Sequence, residues 1–533
     1  MTTSKADEHD GADALRLRGG YVRPVLFSHG IREAEAETEA SSAVTLADLM
    51  ERAGEAVAAA ALEIAPAGRV LVVCGGGNNG GDGWAAARLL CERGRDVRVV
   101  SLVDPAALPE PAQSAAARAQ QAGVAWIASS EAAAVREHAR DAALVVDAVL
   151  GIGLRGPVRD GVAEVLHEMA AASRPVLAVD VPSGIDADTG ALLGPVPRAV
   201  ITVTFIALKP GLLIYPAAAY AGEVRVADIG VPVSARRPPR VEVWEAAEYA
   251  ALLPVPAPDA HKGDRGSVLI VAGSRLYAGA AVLAASGAMR MGAGYVFAAV
   301  PASVVPVVQS ALPHVIAVGL AETDEGALSE QAAEHVLRLA RDVDAVVMGP
   351  GLTAHASVAA AARSIVSGVE CPLVLDADAL NVLGPDGLSA ATARRAPTVL
   401  TPHPGELARL LGISPSEVQT DRISSALRAS APRCACVLKG ARTVVACADR
   451  ALITMAGNPG MATAGMGDVL AGMTGTLLAQ GLEPLEAAAL AAYLHARAGD
   501  RAADELTEVC LTSKDLPAYL PAAVRELLGH RHP

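Results

Sequence analysis

Residues 70–83 read VLVVCGGGNNGGDG, a run of apolar residues followed by a cluster of glycines. The apolar run predicts a buried strand, the glycines predict a turn, and Trp84–Arg93 has the pattern of a helix. Gly75, Gly77 and Gly80 satisfy GxGxxG, whose glycines let the backbone approach a ligand at the positive end of a helix. The stretch therefore predicts one strand-turn-helix unit of an α/β fold.

The same alternation of Val/Ile/Leu runs with Ala-rich helical patterns continues through most of the 533 residues. It is typical of βαβ units around a parallel sheet. The strands predicted in the first half are Arg69–Cys74, Asp96–Leu102, Ala143–Ala148, Val176–Val179, Ala199–Thr204 and Glu223–Ala227. Those predicted in the second half are Ser267–Ala272, Ala345–Met348, Leu373–Leu375, Thr398–Leu400, Ala435–Leu438 and Thr443–Ala446.

A stretch rich in Pro and Arg, Gly230–Arg240, separates the two halves and predicts a linker. The two halves show no sequence repeat, so we expect two different domains. Their expected bounds are residues 20–235 and 241–529.

Composition and charge narrow the classes of function. Hydrophobic residues make up 52% of the chain but aromatic residues only 3%, which suits buried parallel strands and close helix packing. The net charge of −14 argues against a general nucleic-acid binder, because phosphate binding needs a basic surface. Apolar stretches are interrupted before about 18 residues accumulate, so the sequence predicts no membrane-spanning helix.

The polar segment 1–20 lacks the apolar core of a signal peptide and is expected to be a frayed tail. The seven cysteines are scattered without CxxC pairs, which predicts neither a disulfide framework nor a zinc site. We therefore expect a cytoplasmic protein. We also expect a homo-oligomer that acts on small molecules and binds neither nucleic acid nor membrane.

Polar side chains follow three predicted strands of the first half. They are Asn78, Asn79 and Asp82 in the glycine turn, Asp147 at the end of a later strand, and Asp180 and Ser183 one βα unit further on. Because ligands bind at the carboxyl ends of strands in an open parallel sheet, these groups could converge on one crevice. The alternatives are an ordinary dehydrogenase fingerprint, with Asp104 near the ribose, and a simple helix cap by Asp82.

The strongest signal of the second half is KGART at 439–443 followed by NPGMATAGMGDVLAG at 458–472. A glycine turn that leads into a helix at Val469–Gln480 offers backbone N–H groups to an anionic transition state. Asp468 at the start of that helix can accept a proton from a substrate hydroxyl, although an aspartate there is also a good helix cap. GxxxxGK[ST] is absent from the sequence, so a nucleotide site would not be a P-loop.

Motifs of the first half, CGGGNNGGDG, VDAVLGIG, VDVPSGID, TFIALKPGL and GEVRVADIGVP, resemble the NAD(P)HX epimerase (YjeF N-terminal) family over about residues 20–232. The resemblance implies a Rossmann-like three-layer αβα domain that interconverts the R and S forms of hydrated NADH and NADPH. The dinucleotide contacts that it implies are Asn78, Asn79, Gly80, Gly81, Asp82, Gly151, Ile152, Gly153, Leu154, Arg155, Gly156, Pro157 and Asp180. Asn79, Asp147 and Ser183 would bind K⁺, and Asp147 would also transfer a proton. Gly76 departs from the family pattern, which usually has Pro there.

Motifs of the second half, HKGDRG, GPGL, LDADALN, TPHPGE, LKG and GMGDVLAG, resemble the NAD(P)HX dehydratase family over about residues 241–529. The resemblance implies a ribokinase-like αβα domain. The substrate contacts that it implies are Ala280, Gly351, His403 and the catalytic Asp468, and the ADP contacts are Lys439, Gly440, Ala441, Arg442, Thr443 and Gly467. Mg²⁺ is expected with ADP. Thr353 stands where the family commonly has Gly.

Together the resemblances imply an isomerase and a lyase in one chain. The first half would interconvert the epimers of NAD(P)HX, and the second would dehydrate the S form to NAD(P)H while ADP is converted to AMP and phosphate. Two alternatives stay open on the sequence alone: a ribokinase-like small-molecule kinase, and a first half that binds without catalysis.

Overall fold

The structure is a computed structural model that describes residues 23–41, 44–233 and 240–531. The chain divides into two compact units, Met1–Arg236 and Arg237–Pro533. The expected frayed tail at 1–20 and residues 234–239 of the expected linker lie outside the described residues. In the part of the chain that is described, no helix combines the length and apolar character that crossing a bilayer requires.

The first unit is built on a parallel sheet. The unit begins with β1 (Arg23–Val25), which lies outside this sheet. The strands of the sheet are β2 (Arg69–Cys74), β3 (Val97–Ser101), β4 (Ala125–Ala128), β5 (Ala142–Ala148), β6 (Val176–Val179), β7 (Ile201–Phe205) and β8 (Glu223–Ala227). Its helices are α1 (Ser28–Ser41), α2 (Leu46–Ile64), α3 (Asn78–Glu92), α4 (Ala112–Gln121), α5 (Ala132–Ala139), α6 (Asp160–Ala171) and α7 (Pro210–Leu213). The sheet order is β4-β3-β2-β5-β6-β7-β8, with every pair parallel. The order reverses between β2 and β5, and a crevice forms at such a switch point.

The second unit has a larger mixed sheet. Its strands are β9 (Arg240–Val243), β10 (Ser267–Val271), β11 (Tyr295–Pro301), β12 (Ile316–Leu320), β13 (Ala345–Met348), β14 (Leu373–Leu375), β15 (Thr398–Leu400), β16 (Cys434–Leu438), β17 (Val444–Cys447) and β18 (Arg450–Ile453). They follow the order β9-β18-β17-β16-β15-β14-β13-β10-β11-β12. From β16 to β12 every pair is parallel.

Helices surround this second sheet. They are α8 (Ala246–Leu252), α9 (Ala278–Met291), α10 (Val305–Ala311), α11 (Ala332–Leu339), α12 (Ala356–Gly368), α13 (Asp378–Thr392), α14 (Pro404–Leu411), α15 (Pro415–Thr420), α16 (Arg422–Arg428), α17 (Met466–Ala479), α18 (Pro484–Leu506) and α19 (Leu516–Gly529). The α/β fold class expected from the sequence is confirmed in both units.

Helices cover both faces of each sheet, as β2 shows. Val70 and Val72 pack into one apolar cluster, and Leu71 and Val73 into the cluster on the opposite face. Strands buried on both faces read as continuous apolar runs, and for this reason β2 could be predicted at its observed bounds.

Several details differ from the predictions. Helix α3 begins at Asn78 rather than at Trp84, because its early glycines allow close packing: a Cβ on Gly81 would lie 2.8 Å from Ala112 Cβ. Strands β16, β17 and β18 pair antiparallel, since the short loop after β16 cannot make a parallel crossover. Arg240, placed in the predicted linker, begins β9.

Candidate active sites

A cavity of about 810 Å³ opens in the first unit, a size typical of small-molecule sites. Its walls come from the segments that follow β2, β5, β6 and β7 and from helix α1. The predicted contact residues that line it are Asn78, Asn79, Asp82, Gly151, Ile152, Gly153, Leu154, Arg155, Pro157 and Asp180. The strand order thus brings together residues that are up to 102 positions apart, between Asn78 and Asp180.

Five predicted residues do not line the cavity: Gly80, Gly81, Gly156, Asp147 and Ser183. Gly80 and Gly81 lie on the packed side of α3, where Gly80 approaches the carbonyl of Gly75. The N-cap of α3 is Gly77, so Asp82 does not cap this helix. The glycines therefore bring the start of α3 close to the sheet, and its asparagines reach the cavity.

Asp147 and Ser183 form a buried hydrogen-bonded pair. Ser183 Oγ donates to Asp147 Oδ1 at 2.6 Å, and the backbone N–H of Ser183 donates to Oδ2 at 2.8 Å. Burial raises the pKa of Asp147, and these hydrogen bonds only partly offset that effect. The pair is linked to the cavity wall because Leu150 N–H donates to Ser183 Oγ at 2.8 Å.

Asn79, which the sequence predicts to bind K⁺, has an unpartnered side chain. Both polar atoms of its side chain are buried without a hydrogen-bond partner among the described residues. Its Oδ1 lies 3.2 Å from the Cβ position of Gly151, beside the loop that binds Ser183.

The sequence interpretation gave Lys209 no role, yet this lysine is fully buried at the floor of the site. Its ammonium donates to Asp180 Oδ1 at 2.6 Å, to Thr204 Oγ1 at 2.7 Å and to the carbonyl of Phe205 at 2.8 Å. All three N–H bonds are therefore used within the protein. Asp180 also lines the cavity, and its hydrogen bonds with Lys209 and Thr204 both reach Oδ1.

Two further carboxyl groups line the same wall, Glu35 on α1 and Asp82 on α3. Burial raises the pKa of both, and the charge of Asp180 raises them further, although Lys209 acts in the opposite direction. Both shifts favour the neutral form more than in a solvent-exposed carboxyl group. Glu35 was missed because helix α1 was not predicted.

Three guanidinium groups give the cavity positive charge: Arg32, Arg155 and Arg159. Arg32 donates to the carbonyl of Ile152 at 3.2 Å and so supports the glycine-rich loop after β5. Arg155 was predicted and the other two were missed. Asp104, the ribose-binding residue of the alternative fingerprint, instead accepts a hydrogen bond from Ala106 N–H at 2.9 Å and caps a short turn.

The second unit has its own cluster of charged groups around Lys439. Lys439 Nζ lies 2.6 Å from Asp376 Oδ1 and 3.8 Å from Glu406 Oε2. A Cβ on Gly467 would lie 3.1 Å from the same nitrogen, so the lysine reaches the first turn of α17. Burial lowers the pKa of Lys439, but the carboxylates of Asp376 and Glu406 outweigh it and raise the pKa. The ammonium is therefore charged at neutral pH.

Asp468 lies in that first turn of α17. Burial raises its pKa to about 7, the charge of Asp376 adds to the increase, and Lys439 opposes it. A carboxyl group with this pKa can accept a proton near neutral pH. Gly465, with φ +88°, is the N-cap of α17, whose first N–H groups have no partner within the helix.

Two histidines hold the loops of this site. His403 Nδ1 accepts from the N–H groups of Gly405 at 3.0 Å and Glu406 at 3.3 Å, so it caps α14. His495, which was missed, lies with Nε2 2.9 Å from the carbonyl of Met466. Burial lowers the pKa of His495 to about 4, so the neutral ring donates this hydrogen bond and fixes the turn before Asp468.

The other predicted residues of the second unit lie on neighbouring loops. A Cβ on Gly351 would lie 2.8 Å from Ala280 Cβ, which places these two residues in contact. Lys439, Gly440, Ala441, Arg442 and Thr443 form the loop between β16 and β17. Thr353 has φ +74°, a conformation that favours the glycine common in the family, and its N–H donates to Asp378 Oδ2 at 2.8 Å.

Two α/β units, each with a lysine and buried carboxylates at the carboxyl ends of its parallel strands, define an enzyme with a small-molecule site in each unit. The family profile described as YjeF-related protein N-terminus matches residues 46–211, and that described as NAD(P)H-hydrate dehydratase matches residues 268–522. The bifunctional NAD(P)H-hydrate repair enzyme of Moorella thermoacetica is 41% identical over 466 residues, 86% of this chain and 88% of that relative. The chain belongs to the family of bifunctional NAD(P)H-hydrate repair enzymes.

Another relative matches over a similar share of the chain, and a solved structure matches over part of it. The bifunctional NAD(P)H-hydrate repair enzyme of Escherichia coli is 37% identical over a match that covers 89% of both chains. Among solved structures, the ADP/ATP-dependent NAD(P)H-hydrate dehydratase of Bacillus subtilis, co-crystallised with ATP and Mg²⁺, is 31% identical, covers 54% of this chain and 98% of its own, and has a TM-score of 0.46.

Proposed function

We propose that the two domains, residues 20–235 and 241–529, repair hydrated NADH and NADPH in two steps. The first domain interconverts the R and S epimers at the hydrated ring carbon. The second removes water from the S epimer while ADP is converted to AMP and phosphate. The observation that carries the proposal is the contact of Lys439 with the first turn of α17, where Asp468 has a pKa of about 7.

In the second domain, Asp468 takes the proton of the ring hydroxyl, and the hydroxyl oxygen attacks the β-phosphorus of ADP as AMP leaves. The C–O bond to the phosphate then breaks, a proton leaves the adjacent ring carbon, and the dihydronicotinamide is restored. Hydroxide is a poor leaving group and phosphate a good one, so phosphoryl transfer makes the elimination possible. Lys439 and the N–H groups of the Gly465–Gly467 turn stabilise the charge on the transferred phosphoryl group.

In the first domain, the 810 Å³ cavity receives the hydrated ring, and Arg32, Arg155 and Arg159 offset the phosphate charge. Interconversion of the epimers needs proton transfer to and from the ring hydroxyl as the ring carbon opens and recloses. Asp147 stays our candidate for this step. Asp180 is a second candidate, because it lines the cavity while Asp147 is enclosed by Ser183. Asp147→Asn and Asp180→Asn variants, compared by the rate of epimer interconversion, distinguish the two assignments.

Asn79, Asp147 and Ser183 would hold a potassium ion, which would offset the carboxylate charge next to an anionic substrate. The unpartnered Asn79 side chain supports this assignment. Replacing K⁺ by choline should slow epimer interconversion in the native enzyme, and Asn79→Ala should remove the K⁺ dependence. An interconversion rate that is equal in K⁺ and in choline contradicts the assignment.

Mg²⁺ would arrive with ADP on its phosphate oxygens and neutralise part of their charge. The described residues contain no group of three or more His, Cys, Asp or Glu side chains arranged to bind a metal, which favours a substrate-borne ion. The expected homo-oligomer stays a prediction, and light scattering of the purified chain tests it.

The decisive experiment adds ADP to a mixed-epimer preparation of hydrated NADH and follows the recovery of reduced-nicotinamide absorbance. Full recovery at an enzyme-dependent rate is expected. Recovery that stops near the S fraction means an inactive first domain. Absence of recovery, with a stable phosphorylated product, favours the small-molecule kinase instead.

A further inference from the structure

Asp376 stands directly after β14 in the motif LDADALN, and the proposed reaction gives it no role. The residue is 1% exposed. Oδ1 accepts hydrogen bonds from Lys439 Nζ at 2.6 Å and Thr401 Oγ1 at 2.7 Å, whereas the buried Oδ2 has no partner among the described residues. A buried carboxylate with an unsatisfied oxygen disfavours folding, so stability alone does not account for Asp376.

The unsatisfied oxygen lies next to the first turn of α17. Asp376 Oδ2 is 3.8 Å from the Cβ position of Gly467, and Lys439 Nζ is 3.1 Å from it. Both charges of the ion pair thus lie beside Gly467, one residue before Asp468. Neither could move without changing the field at Asp468, because charges a few ångströms apart in a buried site interact strongly.

The charged groups that act on Asp468 come from four segments. They are Asp376 after β14, Asp378 on α13, Glu406 on α14 and Lys439 after β16. His495 on α18 contacts the same turn through the carbonyl of Met466 and is neutral. Among the carboxylates, Asp376 has the largest effect on Asp468.

We propose that Asp376 is a positioning residue of the dehydration reaction. Through Oδ1 it holds the Lys439 ammonium against the Gly465–Gly467 turn, where the remaining N–H bonds of Lys439 meet the β-phosphoryl oxygens of ADP. Through its negative charge it keeps Asp468 a base strong enough to take the proton of the ring hydroxyl. This inference rests on the proposed function of the second domain.

The test is the pH profile of kcat for Asp376→Asn, which keeps the size of the side chain and removes its charge. The measurement uses pure S epimer and saturating ADP. We expect the acidic limb of the profile, in which kcat rises with pH, to move to lower pH by about one unit, because a like charge beside Asp468 is lost. We also expect kcat at pH 8 to fall by about tenfold or more, because Lys439 loses its anchor. KM for the hydrated dinucleotide should change little.

Two further variants make the comparison sharp. Asp376→Glu keeps the charge but displaces it, so the acidic limb should stay near that of the native enzyme while kcat falls. Asp386→Asn removes an exposed carboxylate from α13 and produces the same change in net charge far from any assigned role. It should leave both kcat and the limb unchanged.

If the acidic limb of kcat is unchanged in Asp376→Asn, the proposal is overturned even if the kcat of this variant falls. Restoration of its rate by higher Mg²⁺ also overturns it, because Asp376 would then bind the metal ion. If Asp376→Asn is too slow for a pH profile, a shift of the acidic limb of kcat in Asp376→Glu overturns the proposal instead. A native enzyme that shows no ADP-dependent dehydration would instead refute the proposed function itself.

Discussion

Each unit places one lysine against a buried aspartate at the carboxyl end of a parallel strand, yet the two ammonium groups have different surroundings. Lys209 donates all three N–H bonds to protein acceptors, Asp180, Thr204 and the carbonyl of Phe205. Lys439 makes one short hydrogen bond, to Asp376, and its contact with Glu406 is 3.8 Å long. An ammonium group has three donors, so Lys439 alone has N–H bonds left for a phosphoryl group.

The difference teaches which part of each site meets the ligand. In the first unit the lysine fixes Asp180, which lines the cavity. In the second unit the carboxylate of Asp376 fixes the lysine, and the ammonium faces the first turn of α17. The same kind of ion pair therefore presents a carboxylate in one unit and an ammonium in the other, which suits the proton transfer and the phosphoryl transfer that we propose for the two domains.

The largest effect is expected from Asp468→Asn. It should lower ADP-dependent dehydration of the S epimer by about 10²- to 10⁴-fold, because an amide cannot take the hydroxyl proton. Interconversion of R and S epimers, measured by chromatography without ADP, should continue at the native rate. Loss of both activities would contradict the division of work between the two sites.

The stability of Asp468→Asn relative to the native protein can also be predicted, including its direction. The pKa of Asp468 is raised from 3.8 to about 7, so its ionisation lowers the free energy of unfolding as pH rises through that window. At pH 8 the native carboxylate is charged and desolvated, whereas the asparagine is neutral. The variant should therefore unfold at the same or a higher temperature than the native protein at pH 8.

Lys209→Met tests the structural side of the comparison. The change should lower the free energy of unfolding of the first unit by about 3–5 kcal/mol, because Asp180 loses its ion-pair partner in a buried position. Calorimetry that resolves separate transitions is the measurement. Lys514→Met, at an exposed lysine of the second unit, is the control and should leave both transitions in place. A loss below about 0.5 kcal/mol for Lys209→Met would mean that the ion pair contributes little to folding.

Much of the fold could be predicted because the buried strands are continuous apolar runs. β2, β6 and β13 were predicted at their observed bounds. The edge strands β4 and β12 were not, since β4 is largely exposed, β12 is only partly buried and the apolar runs of both are short. β11 was missed although it is apolar throughout, because periodicity does not distinguish such a run from a buried helix segment.

Residues of the candidate sites could be predicted from the sequence where the topology of the fold alone determines their position. Asp180 and Asp468 follow from a strand end and a helix start, and a parallel sheet brings such positions to one edge. The burial of Lys209, and of Asp376 rather than Asp378, depends on tertiary packing that the motifs TFIALKPGL and LDADALN do not encode. The structure leaves the roles predicted for Ala280, Gly351 and His403 as predictions.

The pH dependence of dehydration should show an effect of about tenfold. Asp468 acts as a base, so the rate should rise with pH through a midpoint near its pKa of about 7 and reach a plateau near pH 8. At pH 6 the rate should be about one tenth of the plateau, since about one tenth of the carboxyl groups are ionised one unit below the pKa. The measurement uses pure S epimer with ADP saturating at each pH. A rate independent of pH between 6 and 8 would exclude Asp468, with this pKa, as the base.

The smallest effect, severalfold, is expected from Gly467→Ala. The added Cβ would lie 3.1 Å from Lys439 Nζ, so the ammonium must shift by a few tenths of an ångström, and its hydrogen bond with Asp376 resists that shift. We expect kcat to fall severalfold. Alanine is the better helix former by about 0.5–1 kcal/mol, so the second unit should become slightly more stable.

This opposite response of rate and stability distinguishes a displaced lysine from a damaged fold. The matched control is Gly529→Ala at the end of α19, where a new Cβ meets no atom within 4 Å. It should leave the rate of dehydration unchanged. If Gly467→Ala kept the full rate, Lys439 would have room that the packed ion pair does not provide, and its role as the fixed cation of the second site would be contradicted.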